Sequence, residues 1–232
     1  MEHGIPTFYK DIMMTLKTSK LEGSGKNENA PTLEPGSYPA RLVQVIDLGV
    51  HPQPDFQGDA KPPKPMIMLT YELVDQFMQD EEGNDIKDRP RWISEQLPLF
   101  PLYSERAKYT KRYAVMDVNG THSGDFAALL NSPVLVNIVN NPNKKDPTKV
   151  WENVGNVTLM RASEVKKLPP LVNEPKAFDM DEPDLEVFNS LPDWIKDKIT
   201  NSLEFGSSEL NEALGGEPAT MVDELLDDEI PF

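Results

Sequence analysis

From Met66 to Asp75 the chain alternates strictly, with Ile67, Leu69, Tyr71 and Leu73 on one side and Met66, Met68, Thr70 and Glu72 on the other. A period of two is the signature of a strand, and the contrast between its faces predicts half-buried antiparallel geometry. Ser37 to Val50 (SYPARLVQVIDLGV) is rich in apolar and β-branched residues on both faces and ends in a glycine turn, so a bulged strand is expected there. Arg91 to Leu99, Pro133 to Asn140 and Val150 to Met160 read as three more strands. An acidic turn around Gly83-Asn84 joins the second and third as a hairpin. Between the first two strands lie Pro52, Pro54, Gly58, Pro62, Pro63 and Pro65, which predict a long loop because proline cannot donate to a central ladder.

The period becomes helical between Ser104 and Leu130, with Ser104 placed as an N-cap before ERAKYTKRYAVM and Asp125 opening a short FAALL segment. The expected fold class is mainly β. Five strands with a helical insertion after the third match a five-stranded Greek-key barrel of the oligonucleotide-binding (OB) type. Residues 17–36 (KTSKLEGSGKNENAPTLEPG) have almost no apolar content and describe a mobile linker. The expected organisation is an N-terminal arm and linker at 1–35, an OB-type domain at 36–170 and an acidic C-terminal region at 171–232. Within the last, residues 190–205 (SLPDWIKDKITNSLEF) repeat Leu191, Ile195 and Ile199 at helical spacing. That amphipathic helix either packs on the barrel or docks a partner.

Charge sharpens the division. Residues 1–170 hold 20 Lys and Arg against 22 Asp and Glu, whereas residues 171–232 hold 3 against 17, so nearly all of the net charge of -16 belongs to the last quarter. A uniformly basic nucleic-acid binder is excluded, yet the first 170 residues are near neutral and contain basic clusters. Cysteine is absent, which removes disulfides, Cys-ligated metals and thiol nucleophiles. Without a leader pattern or a run of about 18 apolar residues, no membrane association is expected, and the setting should be cytoplasmic.

The candidate chemistry is that of binding. His3, His51 and His122 lack ligand spacing, and no nucleophile elbow, Walker loop or dinucleotide fingerprint occurs, so neither catalysis nor a metal or other cofactor is expected. Four clusters instead mix cations with rings: Phe56, Lys61 and Lys64; Arg89, Arg91 and Trp92; Lys108, Tyr109, Lys111, Arg112 and Tyr113; and Lys144, Lys145, Lys149 and Trp151. Single-stranded nucleic acid suits this combination, because cations follow the phosphates while rings stack on unpaired bases. Each cluster also has a structural reading, since Tyr109, Tyr113 and Met116 are spaced as a helix core face and Trp92 and Trp151 are large enough to be core.

The sequence ends Asp227-Asp228-Glu229-Ile230-Pro231-Phe232, an apolar tip behind carboxylates suited to a pocket with a basic rim. DDEIPF resembles the tip of bacterial single-stranded DNA-binding proteins, typically DDDIPF. LEPGSYPARLVQVIDLG, MLTYELVD and SLPDWIKDKI are similar to segments of single-strand binders encoded by bacteriophages. The resemblance implies an OB fold, binding of single-stranded DNA during phage replication, recombination or repair in a bacterial host cell, and recruitment of replication or recombination proteins by residues 227–232. The acidic tail should also compete with DNA for the basic surface. The competing hypothesis is an acidic DNA mimic or interaction protein that sequesters a host nucleic-acid enzyme; an enzyme of nucleotide metabolism has no catalytic constellation to support it.

Overall fold

Two long antiparallel strands, β1 (Gly36–Phe56) and β2 (Asp59–Gln79), carry the fold. The structure is a computed structural model and describes residues 32–56, 58–143, 146 and 150–217. β3 (Asp85–Pro98) pairs with β2, β4 (Pro133–Pro142) with β1, and β5 (Val150–Leu159) with β4, all antiparallel. The path β3-β2-β1-β4-β5 is not closed into a barrel by backbone pairing, and a short β6 (Lys176–Phe178) adds to β1 in parallel. Helix α1 (Lys108–Met116) lies between β3 and β4 in the chain, followed by a 3-10 turn at Ala127–Leu129 that the Asp125 carboxylate caps through the backbone N–H groups of Ala127 and Ala128. Ser104 does not cap α1, because a turn over 101–107 intervenes and Ala107 occupies the cap position.

The alternation of β2 is real but its outer face is not open. Ile67, Leu69, Tyr71 and Leu73 enter one core with Ala40, Leu42, Val45, Tyr109, Tyr113 and Val136. Met68 enters a second core with Ile46, Leu48, Phe178, Met180, Phe188, Leu191, Ile195, Ile199 and Leu210. All seven residues from Ile67 to Leu73 are therefore buried, and the expected half-buried strand is corrected to one covered on both faces. β1 supplies both cores by shifting register between Leu42 and Gln44, the bulge that its two apolar faces required.

The cover is the segment after Pro169-Pro170. Rather than an appendage, residues 171–217 form a layer of β6, α3 (Leu185–Ser190), α4 (Asp193–Thr200) and α5 (Glu209–Ala213), preceded by the short α2 (Ala162–Val165). The single helix expected over 190–205 is divided, because Leu191 before Pro192 is extended (ψ 147°) and interrupts the helical course. Leu191, Ile195 and Ile199 still form the buried face, whereas Trp194 and Leu203 stay exposed.

Gly49 marks where this layer presses on the sheet. Its φ is +77°, and a Cβ built there would lie 2.5 Å from Cβ and Oγ of Ser202, just after α4. G49A combines the left-handed backbone with a clash against packed atoms, and we expect a loss of about 2–3 kcal/mol in denaturant unfolding. A variant as stable as the native chain would refute this close approach.

The proline stretch is the clearest departure from expectation. Val50 pairs with Pro65, His51 with Lys64, Gln53 with Lys61 and Phe56 with Asp59, so the expected loop is a two-stranded ribbon with repeated register shifts. β3 pairs only with the part of β2 that follows Pro65, and β4 only with the part of β1 from Gly36 to Arg41, leaving each ribbon strand one outward edge on which a missing N–H breaks no ladder.

Candidate nucleic-acid interface

β3 and β5, the two ends of the sheet path, are joined by side chains. Arg91 Nη2 donates to both carboxylate oxygens of Glu152, at 3.0 and 2.7 Å, and Glu152 also accepts from the backbone N–H of Leu33. Deeper in the seam, Arg112 on α1 donates through Nε and Nη2 to Glu95 of β3 at 2.7 and 3.1 Å. It also reaches β5 through Asn156 Oδ1 at 2.9 Å and the carbonyl of Gly155 at 3.3 Å. Gly155 sits where β4 and β5 shift register, and a Cβ there would meet Val139 and Asn137 at 2.9–3.0 Å. Tyr71 donates its hydroxyl to Glu95, and burial first, then the Glu95 charge, raises that phenol well above its ordinary pKa.

This geometry decides which rings face water. Arg91 and Glu152 turn into the seam, and neighbouring side chains on a strand alternate in direction, so Trp92 and Trp151 turn outward on either side of it. Trp92 is 42% and Trp151 53% exposed. Trp92 stands in a cleft of about 310 Å³ with Arg89, Pro90 and Asn173. Its indole N–H donates to Glu72, which the alternation of β2 places on the strand's second face with Met66, Met68 and Thr70. Ser94 and Gln96 continue the exposed outer side of β3.

At the end of β3 a second cation meets a ring. Lys64 lies 4.2 Å above the Phe100 ring, tying the ribbon to the loop that follows β3. Tyr103 is 84% exposed, and Arg106, Lys108, Lys111 and Lys61 are exposed too. Phe100, Tyr103 and Arg106 were not among the sequence candidates. The signal was present, because Tyr103 lies two residues after Pro101 in a stretch with no apolar period that would draw a ring into a core.

The structure thus divides the expected contacts. Lys61, Lys64, Arg89, Trp92, Lys108, Lys111 and Trp151 lie at least partly at the surface, and Arg91 is held by Glu152. Tyr109, Arg112 and Tyr113 are corrected to the interior: the two rings pack on Phe126, and Arg112 is 2% exposed in its ion pair. Their spacing along α1 puts them on one face, which turns inward. The Phe56 side chain, Lys144, Lys145, Lys149 and the tip from Asp227 to Phe232 lie outside the described residues.

A separate cleft of about 420 Å³ lies between the sheet and the C-terminal layer, with Asp47, Asp125, Asp179, Asp181 and Glu204 at its walls. Burial raises the Asp47 pKa; the backbone N–H groups of Gly49 and Met180 oppose that rise, and the charges of Asp179 and Asp181 add to it. Glu204 is raised by burial and then by Asp47. A carboxyl whose folded pKa is raised binds its proton more tightly when folded, so its contribution favours folding as pH falls toward the ordinary carboxylate range and opposes it at neutrality. Asn at position 47 can still accept from the Gly49 N–H. D47N is therefore expected to gain stability at pH 7 and to flatten the dependence of stability on pH from the ordinary carboxylate range up to neutrality. Urea unfolding across that range is the measurement, and a D47N loss at pH 7 is the contrary outcome.

Among the described residues, no three His, Asp or Glu side chains come together as a metal site, and no helix is long and apolar enough to cross a membrane. The chain matches no protein-family model, no curated protein and no solved structure.

Proposed function

We propose that this chain binds single-stranded DNA with little regard to sequence, laying the strand along the outer side of β3. The observation that carries the reading is the outward pair Trp92 and Trp151 across a seam whose charged groups are turned inward, with Arg89 beside one ring. Rings presented this way offer faces to unpaired bases, while Arg89 at one end and Lys61, Lys64, Arg106, Lys108 and Lys111 at the other serve a phosphate chain. From Arg89 to Phe100 the distance is roughly 35–40 Å at strand rise, room for a strand of several nucleotides. The sheet path β3-β2-β1-β4-β5, with its ends side by side and a helix between the third and fourth strands, supports an OB-type barrel closed by side chains.

The resemblance of residues 227–232 to bacterial single-strand binders supports a second task, recruiting replication or recombination proteins in a phage-infected bacterium. The decisive experiment is binding of labelled oligo-dT and of duplex DNA at several salt concentrations. Tight oligo-dT binding that weakens steeply with salt, with duplex bound much more weakly, is expected. Absence of oligo-dT binding would refute the proposal.

One observation favours the rival reading of a DNA mimic. Residues 171–217 carry 12 Asp and Glu against 3 Lys, and they belong to the folded body. If oligo-dT does not bind and a basic nucleic-acid enzyme does, that reading replaces this one.

A further inference from the structure

We propose that Glu72 is a positioning residue for the Trp92 ring, an inference that rests on the single-strand reading above. Glu72 lies in β2 directly across from Trp92 and is 1% exposed. Its Oε2 accepts from the Trp92 indole N–H at 3.1 Å, from Asn173 Nδ2 at 2.7 Å and from the Asn173 backbone at 3.3 Å, while Oε1 accepts from the Val172 backbone at 2.6 Å. These donors are all neutral N–H groups. A carboxylate is harder to bury than an amide, and a glutamine would bring two hydrogens of its own into a place already crowded with donors. Only the ionised acid offers two acceptor oxygens and no donor.

Two consequences meet at the cleft. The indole is pinned at its N–H edge, so its rotamer is chosen before a base arrives while a large part of the ring remains exposed. Asn173, held by the same carboxylate, forms another part of the wall. A ring already ordered loses less freedom when it stacks, which is how a buried acid can raise affinity without touching the strand.

The test uses the full chain and fluorescein-labelled oligo-dT. E72Q should bind about 3–10-fold more weakly than the native chain, yet less than about 2-fold more weakly when W92A is already present, because the role acts through that ring. In 1H–15N spectra the Trp92 indole resonance should shift and exchange faster with solvent in E72Q, whereas the salt dependence of binding stays unchanged. An equal E72Q penalty in both backgrounds, or an unmoved indole resonance, overturns the proposal. W92F keeps a stacking ring without the N–H and leaves the other Glu72 donors in place; it should bind at least 3-fold more weakly, and native affinity in W92F overturns the proposal even if E72Q fails to fold. A native chain that does not bind oligo-dT removes the single-strand reading together with this role, while a binding native chain with a failed cycle removes the role of Glu72 alone.

Discussion

R112A is expected to lose about 3–5 kcal/mol of folding stability, the range seen when one partner of a buried ion pair is removed. Both members are nearly inaccessible, at 2% for Arg112 and 8% for Glu95. The deletion strands the Glu95 carboxylate with the Tyr71 hydroxyl, and it leaves Asn156 Oδ1 and the Gly155 carbonyl without this donor. Because α1, β3 and β5 meet through this one guanidinium, the damage should reach beyond a local hole. For a body of this size a drop of about 6–20 °C in Tm is anticipated. Replacing the pair as R112M/E95Q should cost less than R112A, since no unpaired charge is then left inside. A loss under about 1 kcal/mol in R112A would show that the seam is held by something else.

The second large effect concerns affinity. W92A/W151A should weaken oligo-dT binding by about 2–6 kcal/mol if each ring stacks on one base, roughly 30-fold to more than 10⁴-fold. Both side chains are substantially exposed, so the same substitutions should change folding stability far less than R112A does. The slope of affinity against salt should persist, because the cations are untouched. A double variant that binds like the native chain, or one that loses its salt dependence along with its affinity, would contradict stacking at these positions.

Much of the framework is legible in the sequence because it rests on local periods. The inward set Ile67, Leu69, Tyr71 and Leu73, the apolar run of β4 and the four-residue spacing of Leu191, Ile195 and Ile199 all report burial directly. What escaped depends on partners distant in the chain. The outer face of β2 looks solvated until residues 171–217 are laid over it, and Glu72 looks like an ordinary strand-face acid until Val172 and Asn173 arrive about a hundred residues later. Arg112 is instructive for a different reason. It shares the inward face of α1 with Tyr109 and Tyr113, three and one residues away, so the core reading of those rings already carried it inside, although its charge drew attention to phosphate. The proline ribbon was hidden because a rule against proline in central strands does not govern edges.

That ribbon has a further consequence. Exposed strand edges are templates on which identical molecules can add to one another, and a pair projecting beyond its sheet offers two of them. Pro52 and Pro54 on one strand, and Pro62, Pro63 and Pro65 on the other, interrupt the row of donors that such stacking would need. Resistance to fibrillar self-association is thus written into the projection itself, and replacing these prolines with threonine should expose it first as turbidity and thioflavin binding at high protein concentration.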